Sequence, residues 1–320
     1  MDPKKSKDKA KRTYSERVVN KARKILLGPI SRAWGSYATR GLENQKRLVQ
    51  KGYWDTLIIL DACRYDYFEQ EYASFIGKGK LRKLKSPASW TYAWLSEVFG
   101  GEYEDITVYS AHPGLNSKGI GRHMGYVGSK HFKKIIDVWD FGWDSKLGTV
   151  HPKTLTEAVL EDVSSGDFKG RNIIWYVQPH SPWIGETRLG GSRRDWNDKE
   201  VLTDVMRGIK SGEISRDTFM RAYRDNLRLV LRHVAELIPY LKGTVVISSD
   251  HGELLGEWGF YTHISYVGLP GLKEVPWLEL EGGGKELEGK HEAGDRNIQE
   301  GRKDSDEEEI KKKLMGLGYM

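Results

Sequence analysis

Apolar residues in this chain fall in short runs separated by polar turns. Thr56–Leu60, Ile106–Ser110, Asn172–Gln178 and Thr244–Ser248 read as strands. Leu57–Leu60 (L-I-I-L) and Val245–Ile247 (V-V-I) are continuous and branched, as expected for strands covered on both faces of a parallel sheet. Helical spacing predicts Tyr92–Phe99, Thr154–Val163, the long Arg216–Tyr240, and a short Ile310–Leu317 at the end. Alternating strands and helices predict an α/β fold, a mostly parallel central sheet flanked by helices on both faces. The pattern divides the chain into a basic arm with helices (1–50), a main domain (51–280), and a charged linker with a short helix (281–320). Residues 282–309 are rich in Gly and charge and are expected to be mobile. Gly185–Asp198 is a polar loop suited to a lid or an acceptor site.

Two strands end in side chains that bind metals. The segment 245–253 reads V-V-I-S-S-D-H-G-E, so Asp250 and His251 follow directly on an apolar run, and Asp61 follows Leu57–Leu60 in the same way. Carboxyl ends of neighbouring parallel strands share one crevice, where open α/β sheets place their chemistry. Carboxylate oxygens and an imidazole nitrogen suit a divalent cation. Gly252 would let the backbone turn beside them. Taken singly, each reads more readily as a solvated strand end or a helix N-cap. Arg64 either holds an anion or pairs with Asp66. Thr91 either caps the helix that follows or presents a nucleophile at its positive end.

Taken together, the motifs form an ordered series. D-A-C-R-Y-D (61–66) fits D-x-x-R-x-D; W-T-Y-A-W starts at Trp90 and is followed by Gly100–Gly101. P-H-S-P places His180 after a strand, S-D-H-G-E spans 249–253, His263 precedes Val275-Pro276, and the chain closes on I-K-K-K-L-M-G-L-G-Y. In this order, over roughly residues 50–280, the chain resembles the alkaline phosphatase superfamily on its sulfatase-like branch, with its prokaryotic sulfatase-like and phosphoglycerol-transferase-like proteins. The resemblance implies a metal-dependent hydrolase or transferase of phosphate or sulfate esters, on a sugar-, glycerol- or lipid-linked substrate. It implies a Thr91 nucleophile, one divalent ion (Mn²⁺, Mg²⁺, Ca²⁺ or Zn²⁺) on Asp61, Thr91, Asp250 and His251, and contacts to the anion from His180, His263 and Arg64. No Asp-His pair at the spacing of two-metal relatives is found. Cys63 does not sit in a formylglycine motif, and a threonine cannot yield that aldehyde because its β-carbon carries a methyl group. A sulfatase working without formylglycine is one alternative. Ala93 and Trp94 stand where the family has Pro and Ser, which leaves open a non-catalytic anion- or glycan-binding relative at a membrane surface. Trp90, Trp94 and Trp183 flank the motifs and could stack on a sugar or pack the core.

Composition adds bounds. The 320 residues include one cysteine, which excludes an internal disulfide. No apolar run approaches the ~18 residues of a membrane span, and the N-terminus lacks the apolar region of a signal peptide. The expectation is a cytoplasmic protein, or one peripheral to the inner membrane face. Net charge is +6, but residues 1–50 carry 14 basic and 4 acidic side chains. Val18, Ala22, Ile25, Leu26 and Ile30 recur at helical spacing within that arm. They fit a helix on anionic lipid or one packed on the domain. No nucleic-acid-binding motif accompanies the charge, and no nucleic-acid partner is expected.

Overall fold

The computed structural model describes residues 26–120, 125–189, 200–263, 267–287 and 303–319. Seven strands form its central sheet: β1 Thr56–Leu60, β2 Lys80–Lys85, β3 Tyr103–Ser110, β4 Phe132–Asp137, β5 Arg171–Tyr176, β6 Thr244–Ser248 and β7 Glu274–Glu281. Their order is β2-β7-β6-β1-β5-β3-β4. β1 is parallel to β5 and β6, and β3 is parallel to β4 and β5. Only β7 runs against its neighbours β6 and β2. All five residues of β1 are buried, as its continuous apolar run requires. From β1 the chain passes first to β2 on one side and then to β3 on the other. The carboxyl end of β1 is therefore a topological switch point.

Helices pack around the sheet. Arg216–Leu237 starts at Ser215, whose hydroxyl accepts the Thr218 amide, and buries Phe219, Tyr223, Val230 and Val234 along one stripe. Ile238–Tyr240 continues it as one 3₁₀ turn. Pro152–Ser165 begins with proline and ends at Gly166, which takes φ 78°.

The predicted β1 and β6 match the observed strands; the edge strands β2 and β4 were not anticipated. β2 reads K-L-R-K-L-K with one residue buried, a charged edge that discourages pairing with other chains. The last helix spans Lys303–Leu317, so residues 303–309 are helical and not part of a mobile linker. The acidic run Asp304–Glu309 lies at its N-terminal end, where negative charge is favoured. Residues 288–302, and Gly190–Asp198 of the expected lid, lie outside the described residues.

Of the basic arm, residues 26–38 form a helix and 1–25, with Val18, Ala22 and Ile25, lie outside the described residues. The helix turns Gly28, Ser31 and Gly35 inward. A Cβ on Gly35 would lie 1.5 Å from the Gly268 carbonyl oxygen, so only glycine permits this approach. Leu26, Ile30, Trp34 and Tyr37, spaced along the opposite side, are exposed.

Candidate active site

Four parallel strands deliver side chains to one edge of the sheet. Asp61 follows β1, Asp250 and His251 follow β6, His180 follows β5, and His112 follows β3. The backbone ties these ends together: the Asp61 amide donates to Tyr176 O, and the His180 amide to Asp61 O. Ala62 takes φ 57°, a left-handed conformation for a residue with a Cβ. Its amide donates to Asp250 Oδ1 (3.1 Å), and its carbonyl accepts from the Tyr223 hydroxyl (2.7 Å). Local strain here is offset by bonds that fix both strand ends.

Thr91 is the first residue of the helix Thr91–Val98 and not its cap. The cap is Trp90, which contributes no side-chain bond, so the first-turn amides keep their donors. The Thr91 hydroxyl lies 2.8 Å from Asp250 Oδ2 and 3.3 Å from His251 Nε2. Ser86 Oγ anchors the segment ahead of this helix on the Asp250 carbonyl. Gly252 does not take a left-handed turn: a Cβ there would lie 2.0 Å from the Gly271 carbonyl oxygen. Close backbone approach, not turn geometry, requires that glycine.

Asp61, Asp250 and His251 are fully buried, and their ligand atoms lie within 4.8 Å of one another. Burial and the neighbouring Asp250 raise the Asp61 carboxyl well above its ordinary range, and burial raises Asp250. Burial lowers His251 well below the usual imidazole value. With Nδ1 2.8 Å from Gly252 O, the neutral ring carries its proton there and turns the Nε2 lone pair toward Asp61, Asp250 and Thr91. Two carboxylates, a threonine oxygen and an imidazole lone pair with no buried cationic side chain among them make a divalent-cation donor set.

A second donor set adjoins the first. His180, Glu253 and His263 place ligand atoms within 4.8 Å, and the His251 and His263 rings are 4.9 Å apart. Glu253 Oε1 and His263 Nδ1 are buried and face each other at 3.5 Å, so they pair with one another at long range. Burial raises Glu253 and lowers His180. Glu253 lies inside the S-D-H-G-E motif and could have been read from it.

The site also contains His112, which carried no motif. Its Nδ1 accepts the Gly114 amide (3.0 Å), so in the neutral ring Nε2 holds the proton, and that buried donor has no partner. Burial pushes its pKa down to about 4. Arg64 is engaged elsewhere: its guanidinium bonds Asp66 (2.7 Å), Glu257 (2.5 Å) and the Glu253 carbonyl (3.1 Å). Of the two readings of Arg64, pairing with Asp66 is the one observed. Trp94 and Trp183 are buried in the core; Trp94 Nε1 bonds Gln45 Oε1, and Gln45 Nε2 bonds Ser249 O beside Asp250. Tyr319, two residues past the end of the last helix, donates to Asp61 Oδ1 at 2.8 Å.

No family model matches the chain. It is 24% identical over 276 residues to the low-salt glycan biosynthesis sulfotransferase Agl7 of Haloferax volcanii, covering 79% of this chain and 57% of that protein. The chain therefore spans little more than half of that relative's length. Among solved structures, it is similar to the soluble domain of lipooligosaccharide phosphoethanolamine transferase A from Neisseria meningitidis (15% identity, 77% of this chain and 78% of that one, TM-score 0.49). It is also similar to the C-terminal periplasmic domain of phosphoethanolamine transferase EptC from Campylobacter jejuni (15% identity, 70% and 78%, TM-score 0.44). The expected cytoplasmic location is corrected by the periplasmic domain among these structures. One unpaired cysteine and an N-terminus without an apolar region do not fix a compartment. No helix among the described residues is long and apolar enough to cross a membrane. The ordered motifs, the strand order and the gathering of Asp61, Thr91, Asp250 and His251 at the switch point resemble the alkaline phosphatase superfamily on its sulfatase-like branch.

Proposed function

We propose that this protein transfers a phosphoryl-type group from an ester to an acceptor hydroxyl or water, through a covalent intermediate on Thr91. The observation that carries this reading is the buried Thr91 hydroxyl, 2.8 Å from the Asp250 carboxylate and 3.3 Å from the His251 lone pair. A cation held by Asp61, Asp250, His251 and the Thr91 oxygen would lower the hydroxyl pKa and offset the charge of the incoming anion. Asp250 accepts the Thr91 proton through the existing hydrogen bond as the Thr91 oxygen bonds to phosphorus. The uncapped amides at the helix start and the unpartnered His112 Nε2–H are donors that would serve the growing negative charge. The ester oxygen departs as the bond from Thr91 to phosphorus forms and takes its proton from water. In the second half the His180 or His263 lone pair can take the proton of the attacking hydroxyl as its oxygen bonds to phosphorus, and the departing Thr91 oxygen recovers its proton from Asp250. Alternatively, with Glu253, His180 and His263 are positioned to hold a second cation.

A sulfuryl group is the second reading, favoured by the relative from Haloferax volcanii, which is a sulfotransferase of glycan biosynthesis. Both groups are tetrahedral anions, and a Thr91 intermediate serves either. The glycan in that relative's name supports a sugar-linked substrate. The exposed stripe Leu26, Ile30, Trp34 and Tyr37, beside a strongly basic arm, supports contact with an anionic lipid surface.

The test is metal-supplemented turnover of aryl phosphate, aryl phosphodiester and aryl sulfate by wild type and Thr91→Ala. Thr91-dependent release from a phosphorus ester supports the first reading, and release from the sulfate alone replaces it with the second. Release that survives Thr91→Ala contradicts both.

A further inference from the structure

The last described segment ends inside the site. Lys303–Leu317 is held by Ile310, Leu314 and Leu317, all buried in the main core. Lys313 lies over the rings of Trp139 and Trp143. The helix stops in a double turn: Gly318, at φ 89°, donates to Met315 O, and Tyr319 donates to Leu314 O. This reversal aims the Tyr319 ring inward. Ser181 Oγ fixes the turn on the Leu317 carbonyl, one residue from His180.

The Tyr319 ring touches the groups assigned to the anion. It stacks on His180 (centroids 4.9 Å, planes at 16°), meets His112 edge-on at 4.6 Å, and lies 5.3 Å from His263. Its hydroxyl oxygen is 2.8 Å from Asp61 Oδ1 and 3.3 Å from Thr91 Oγ1. A phosphorus or sulfur centre about to be attacked must itself lie roughly 3–3.5 Å from the nucleophile. The phenol thus stands at the reacting distance from Thr91 and on the oxygen of Asp61 that a cation would use. The nucleophile and both acids are fully buried in this arrangement.

We propose that residues 303–319 form a self-occluding strap, with the Tyr319 ring seated in the slot that the substrate's transferred group and its attached ring must enter. The inference rests on the Thr91 reading. Substrate binds by displacing the phenol, and the apparent affinity carries the cost of that displacement. The core-packed helix is the anchor and the ring is the movable tip. The His180 stacking face and His112 edge that Tyr319 uses give the vacated slot a preference for a flat or sugar-like ring bearing the ester oxygen.

The test compares wild type, Tyr319→Phe and Tyr319→Ala, each with and without Thr91→Ala, using aryl phosphate and aryl sulfate with Mn²⁺. The strap predicts that Tyr319→Ala lowers KM roughly fivefold or more without lowering kcat, with Tyr319→Phe between. It also predicts faster hydrogen exchange at the Gly318 and Tyr319 amides, which hold the tip, when Mn²⁺ and inorganic phosphate or sulfate are added to wild type. Loss of kcat in Tyr319→Phe with Mn²⁺ binding retained would overturn the strap, because the phenol would then serve the chemistry. Slower or unchanged exchange on adding the anion would also overturn it. Turnover that survives Thr91→Ala defeats the functional reading, while the exchange result still decides the strap.

Discussion

The Thr91 hydroxyl and the Asp250 carboxylate meet at 2.8 Å although the residues stand 159 positions apart in the chain. Thr91 arrives on the helix after the edge strand β2, and Asp250 on the loop after the interior strand β6. This contact depends on the whole switch-point arrangement, so it reports on fold and chemistry together.

Asp61 and Asp250 are buried together with raised pKa values, and among the described residues no Lys or Arg forms an ion pair with either. Asp61→Asn should therefore stabilise the metal-free protein by about 1–2 kcal/mol. It should also remove most of the stabilisation that Mn²⁺ gives wild type. Thermal melts with chelator and with Mn²⁺ check both parts, and an unchanged metal response would remove Asp61 from the ligand set.

Asn226 holds the His180 loop. Its Oδ1 accepts the Ile184 and Gly185 amides (2.9 and 3.2 Å), and its Nδ2 donates to the carbonyls of Pro179, His180 and Pro182. Asn226→Ala leaves these buried groups unmatched and should cost about 2–4 kcal/mol. Denaturant unfolding gives the magnitude, and turnover should fall along with it as His180 loses its position.

Gly252→Ala should cost about 2–3 kcal/mol, because the new methyl meets the Gly271 carbonyl rather than open space. A stability equal to wild type would show that the loop after β6 can retreat from Gly271.

The exposed stripe on helix 26–38 should read out as lipid affinity. Ile30→Asp should weaken sedimentation with anionic vesicles about tenfold while leaving turnover of a soluble aryl ester intact. Neutral vesicles should bind poorly. Equal binding of wild type and variant would exclude this helix as the lipid contact.

Much of this was legible in the sequence because apolar runs and ligand residues adjoin. L-I-I-L before Asp61 and V-V-I-S-S before Asp250 identify interior strands and the edge they share. Edge strand β2 was not legible, since K-L-R-K-L-K lacks the apolar content that marks a buried strand. His112 sits in A-H-P-G without a partner nearby in sequence, and only the sheet brings β3 beside β5. The Tyr319–Asp61 bond joins residues 258 positions apart, and no local pattern encodes a contact set by helix docking. Arg64 offered two partners in the sequence. Its choice of Asp66 and Glu257 follows from the position of Glu257, which lies in a turn after β6.

The most direct measurement is intact-protein and peptide mass spectrometry after rapid quench of metal-loaded protein with an activated aryl phosphate or aryl sulfate. The account predicts one phosphoryl or sulfuryl group on the peptide containing Thr91, its accurate mass telling the two apart, and none on Thr91→Ala. Turnover with no modified Thr91 at any quench time, or modification at another residue, would contradict it.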